Sequence, residues 1–185
     1  MHQQLQTIVA KLDAARDHLR VVEEKISPGR WVVRADPNRW SVGECVVHLN
    51  LTSAAYIPLI RAALDHPSTG PSRGIPYRRD FIGLMLGYAV GPMPRFLRRR
   101  MRFKTPAGFV PAGDAPKDVA VAEFDRLQET LKALTRECDG RAIDRVLISS
   151  PFDKRASYSV YSALTIIPRH QERHLIQAEE VWAGV

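Results

Sequence analysis

The sequence predicts an all-α fold: a four-helix bundle built as a single domain over residues 1–185. Three observations carry that expectation. Four segments repeat apolar residues at alternating spacings of three and four, the period of a helix that buries one face. Start and stop signals bracket those segments. A chain of 185 residues also suffices for one well-stocked core without a second domain.

In the first segment Leu5, Ile8, Leu12, Ala15, Leu19 and Val22 form a bundle seam, which Pro28-Gly29 ends. A loop over Ser27–Trp40 leads to the second helix. That helix opens at Ser41 with Glu44 three residues on, the pattern in which each side chain satisfies the other's backbone N–H. Its inward row reads Val42, Cys45, His48/Leu49, Thr52, Ala55/Tyr56 and Leu59, and Trp40 just ahead is expected to pack against it as a staple. About 47 residues, 67–113, then separate the second and third helices and are rich in Pro and Gly. A crossover this long can run the length of a bundle, so the second and third helices can be parallel. It also has room for short helices, expected around Asp80–Ala89 and Pro94–Arg102. The third helix spans about Pro116 to Cys138 on the row Val121, Phe124, Leu127, Leu131, Leu134 and Cys138. The fourth spans about Ser159 to Trp182, and Pro168 within it should bend it or remove one backbone bond.

Composition narrows the class. Apolar and charged fractions of 45% and 25% are those of an ordinary globular protein. Two cysteines, Cys45 and Cys138, argue against a disulfide scaffold and for a reducing, cytoplasmic setting. The longest apolar stretch, FIGLMLGYAVGPMP, is broken by Gly and Pro and too short for a transmembrane segment. The formal net charge is +7, and its distribution is uneven: residues 67–113 hold nine Lys/Arg against one Asp, including the run RFLRRRMRFK over 95–104. Such a run is ordinarily a solvated face; the sharper reading is a basic rim for an anionic small-molecule substrate or a membrane surface. None of the nucleic-acid-binding motifs is present, so a nucleic-acid partner is disfavoured.

The stretch IPRHQERHLIQ carries the chemistry. On the fourth helix Ala163, Ile167, His170, His174, Gln177 and Val181 fall on one seam, so two imidazoles occupy successive inward positions. His48 lies on the inward row of the second helix. His2, His18 and His66 read as exposed or terminal. Three neutral imidazoles converging between helices suit Zn, Ni, Fe or Mn, and three ligands leave a coordination position open. Glu44 is a candidate to orient His48, with its capping role an equal explanation; Gln177 is a candidate donor behind His174. Cys45 reads as a small buried residue, with a fourth, closing ligand as the alternative. Tyr56 and Tyr161 face inward, and Glu172 and Arg173 read as surface ion-pair residues. Gln171 stands where a zinc protease would carry its Glu, which excludes that chemistry, and no Ser-nucleophile, phosphate-loop or CxxC pattern is present.

RWSVGECVVHLN and HQERHLIQAEEV resemble the second and fourth helices of the DinB/YfiT-like superfamily. The resemblance implies a four-helix bundle with a long crossover between helices two and three, and a divalent metal on His48, His170 and His174. It also implies activities that range over proteins labelled metal-dependent hydrolases and S-transferases using a low-molecular-weight thiol such as bacillithiol or mycothiol, and homodimers, for which the apolar residues of 81–97 offer a contact. The leading expectation is a metal-dependent enzyme, hydrolase or thiol transferase. The alternatives are a non-catalytic bundle with a closed metal site, and a metal-free core in which the histidines bond one another.

Overall fold

In the computed structural model the described residues are 1–66, 70–71, 76–92, 105–112 and 115–183. The four long helices are α1 (Gln3–Lys25), α3 (Val42–Leu64), α5 (Lys117–Glu137) and α6 (Val160–Trp182); α2 (Pro28–Trp31) and α4 (Phe81–Val90) are short. The expected helix at Asp80–Ala89 is thus present as α4, whereas the one at Pro94–Arg102, like the basic run 95–104, lies outside the described residues. No described helix is long and apolar enough to cross a membrane.

Each of α1 and α3 packs against both α5 and α6, which puts α1 and α3 at opposite corners of the bundle. Side-chain bonds set the directions. Asn50 reaches the Ala120 carbonyl and Arg61 reaches Glu137, so α3 and α5 run parallel, as the long crossover allows. Gln4 bonds Tyr161 and Trp182 bonds the Lys25 carbonyl, so α1 and α6 are parallel too and oppose the other pair.

The local signals act as chemistry requires. Ser41 and Glu44 form the reciprocal cap of α3, with bonds of 3.1 and 2.8 Å. The side chain that packs on this helix start is Trp31, brought by α2 and fully buried. It leaves no room at Gly43, where a Cβ would stand 2.5 Å from the indole nitrogen. Trp40 packs against the same half of the core, and its ring also meets the histidines described below. Helix α6 continues through Pro168, so the proline costs a backbone bond without ending the helix. Sequence periodicity did not anticipate the antiparallel pair β1 (Leu147–Ser149) and β2 (Ser157–Ser159), which leads into α6.

The core has two apolar halves. One gathers Leu5, Ile8, Leu12, Tyr56, Ile60, Leu131, Leu134 and Ile167. The other gathers Leu19, Val22, Trp31, Leu49, Phe124 and Leu175. Along every long helix the break between halves falls at one level, between 12 and 15, 49 and 56, 124 and 131, and 167 and 175. Polar side chains fill that level.

Candidate functional site

Two groups share the polar level. In the first, Gln128 on α5 and Gln171 on α6 bond each other amide to amide at 3.0 and 3.1 Å. Gln128 also donates to the Leu12 carbonyl and Gln171 to the Ser53 hydroxyl. Both amides are 1% exposed and fully engaged.

The second group is made of His48, His170 and His174. One ring nitrogen from each lies within 4.8 Å of the other two, the one such cluster of potential ligands among the described residues. The ring centroids stand 4.6–5.1 Å apart, at steep angles to one another. Helical spacing puts His170 and His174 on one face of α6, and antiparallel packing brings α3 across to present His48.

The environment keeps all three rings neutral. Burial lowers the pKa of His48, opposed by its bond to the Phe109 carbonyl. Burial, then the neighbouring His48 and Arg173, brings His170 down to about 3. Burial and the same neighbours, with His170, hold His174 well below the usual imidazole range, and Gln177 opposes them. Neutral imidazoles each offer a lone pair.

The lone pair of His48 points into the cluster. Nδ1 of His48 stands 2.8 Å from the Phe109 carbonyl, which only accepts, so Nδ1 carries the proton and Nε2 the lone pair. That Nε2 faces Nε2 of His170 at 3.3 Å. Two nitrogens held by one zinc at roughly 2.0–2.1 Å in tetrahedral geometry stand about 3.3–3.4 Å apart. The separation therefore fits a shared ion, and it is long for a bond from one imidazole to another. Nδ1 of His174 is buried with no hydrogen-bond partner.

Other candidates fall into place around the rings. Glu44 does not orient His48. Its carboxylate is held by Arg34 and the Ser41 N–H, and burial is outweighed by Arg34 in keeping it ionised. The backbone carbonyl of Phe109, in a short 3-10 turn (Ala107–Phe109), takes that role. No side-chain pattern marks a carbonyl, so sequence gave no signal for it. Cys45 is buried among Trp31, Val42 and Leu49, outside the histidine cluster, and burial pushes its thiol up to about 12. Tyr56 bonds Tyr158 at 2.6 Å in the neighbouring core. Arg173 is half-buried. It donates to the Ala89 carbonyl at the end of α4, and its charge bears on His170 and His174.

Aromatic rings frame the cluster. Trp40 lies 4.8 Å from His48 and stacks on His174 at 5.8 Å. Phe152, against Phe109 at 4.5 Å, stands 6.1 Å from His170. An apolar frame of this kind lowers the local dielectric and strengthens electrostatics within it.

The family model of the DinB superfamily matches residues 11–178, nine-tenths of the chain. No curated protein and no solved structure matches it.

Proposed function

The chain belongs to the DinB superfamily, and on that premise we propose that it is a divalent-metal-dependent enzyme acting on a small molecule. His48, His170 and His174 hold the metal, and transfer of a low-molecular-weight thiol is favoured over hydrolysis. The observation that carries this is the inward convergence of three neutral rings, with the His48–His170 separation of 3.3 Å that one ion would impose.

Each residue then has a role. The Phe109 carbonyl fixes the His48 tautomer and turns Nε2 to the site. Trp40 and Phe152 hold the rings and exclude water. Arg173 supplies a positive field that favours an anionic substrate or a thiolate. A bound divalent ion supplies Lewis acidity and brings a water or thiol on it towards ionisation at neutral pH.

The preference for sulfur rests on what surrounds the rings. Among the described residues no carboxylate joins the cluster, and Glu44 is committed to Arg34. Hydrolysis benefits from a general base beside the metal. A thiol ionised by the metal needs none. The non-catalytic reading, with a closed site, would place Cys45 or another side chain on the metal; Cys45 packs elsewhere, and among the described residues no fourth His, Cys, Asp or Glu joins the cluster. The two free, buried cysteines suit a reducing, cytoplasmic setting.

Elemental analysis of wild type and His174→Ala, each stripped and reloaded with Zn, Ni, Fe or Mn, tests the site. Near-stoichiometric metal in the wild type and loss in the variant is the expected result. Metal-dependent consumption of a small thiol with an aryl halide electrophile then tests the chemistry. A wild type that takes up no metal would leave the histidines as a hydrogen-bonded core and end the enzyme reading.

A further inference from the structure

Helix α4 is arranged inside out. Its small residues face the bundle: a Cβ at Gly83 would stand 2.2 Å from the Ser162 side chain, and one at Gly87 would meet Ile166 at 3.8 Å. Leu86 and Val90 also pack against the core, but four large residues face solvent, with Phe81 74%, Ile82 43%, Met85 57% and Tyr88 64% exposed. Positions 81, 85 and 88 are successive turns of one face, so this is a continuous apolar row. A row of this kind marks a contact surface.

The row is held rigidly. Asp80 caps α4 through the Gly83 N–H and accepts from the backbone and hydroxyl of Ser159 and the hydroxyl of Ser162. At the other end Arg169 and Arg173 of α6 donate to the Gly87 and Ala89 carbonyls. Nothing in this arrangement lets α4 turn its apolar face inward.

Charge selects the occupant. Arg78 and Arg79 are exposed just before the helix, and the Arg169 guanidinium lies 5.6 Å from the Tyr88 ring centroid. A second copy docked through this face would bring Arg78, Arg79 and Arg169 of both copies together, since a two-fold contact uses the same patch on both sides. An anionic lipid surface meets both features: apolar side chains enter the acyl boundary while cations sit among the phosphates. We infer that α4 docks the protein peripherally on anionic phospholipid membranes, its Phe81–Met85–Tyr88 face inserted at the interface.

Co-sedimentation with vesicles of equal parts phosphatidylcholine and phosphatidylglycerol, beside vesicles of phosphatidylcholine alone, tests this. The wild type is expected to bind the mixed vesicles, to ignore the neutral ones and to release at high salt. Phe81→Ser/Met85→Ser changes only exposed side chains and should weaken binding by roughly tenfold or more. Arg78→Glu/Arg79→Glu, which leaves the apolar row intact, should weaken it as well. Failure to bind mixed vesicles overturns the inference. So does binding that Phe81→Ser/Met85→Ser leaves unchanged, which would assign the affinity to charge alone. A wild-type dimer in sedimentation velocity that the same variant splits would assign the face to a second copy, and overturn it too.

Discussion

The glutamine pair and the histidine cluster occupy the same level of the same bundle and differ in one respect. Gln128 and Gln171 satisfy each other, with Leu12 and Ser53 taking the remaining bonds. The histidines satisfy one another poorly: the lone-pair edge of His48 meets Nε2 of His170 at a long 3.3 Å, and the Nδ1 of His174 has no partner. An unmade buried bond costs roughly 1–3 kcal/mol, so a fold keeps one where something outside the chain completes it. The contrast separates a polar group that specifies structure from one shaped to receive a ligand. Asn50 Oδ1 is also unpartnered, but it is a lone carbonyl whose amide nitrogen is bonded to Ala120, and under-satisfied carbonyls are the commoner exception.

Acid should break this comparison most visibly. The folded pKa of His170 lies near 3, below the usual imidazole value of 6.5, chiefly through burial. Between those values the unfolded chain binds a proton that the folded chain refuses, so stability rises with pH across the window and falls as pH drops through it. Below about 3 the loss is complete. For His170 alone it amounts to about 5 kcal/mol, and His174, depressed in the same direction, adds to it. Urea unfolding of metal-stripped protein from pH 7 to 4 measures the slope. His170→Phe should flatten it; an unchanged slope would place the acid sensitivity elsewhere.

The glutamine pair predicts a smaller effect of a different form. Gln171→Met strands the Gln128 amide and should cost about 1–3 kcal/mol, as should Gln128→Met. The double variant removes both partners and should recover most of that loss, giving a coupling energy of about 1–2 kcal/mol in the cycle. Additive losses would show that the amides do not act as a unit. Neither variant should change the pH slope that the histidines produce, because amides do not titrate.

How much of this was legible in the sequence follows from the same distinction. Side-chain periodicity placed the four long helices, the Ser41–Glu44 cap and the inward seam through His170 and His174, because burial imposes a repeat that the sequence must carry. A short helix is expected around Asp80–Ala89, where α4 stands, without a sign that Phe81, Met85 and Tyr88 face out. That depends on Gly83 and Gly87 seeking α6, a tertiary preference. The β1–β2 pair is three residues a side, too short for an alternation to register. Gln171 was read only as the residue that rules out protease chemistry, since its partner Gln128 is 43 positions away. Phe109 could not be found at all, because its backbone, not its side chain, meets His48.

The smallest expected effect is the sharpest test of how His48 is oriented. Proximity in sequence suggests Glu44, one turn before His48. The structure commits that carboxylate to Arg34 and to the start of α3. Replacing a true orienting partner of a metal ligand costs about 10–100-fold in metal affinity. Glu44→Gln should therefore change affinity by less than about twofold, while lowering stability by about 1 kcal/mol through the weakened cap and ion pair. Competition titration against a chromogenic chelator gives the first number and urea unfolding the second. A tenfold loss of affinity with little loss of stability would reverse the assignment, making Glu44 part of the metal site and leaving the Phe109 carbonyl as a bystander.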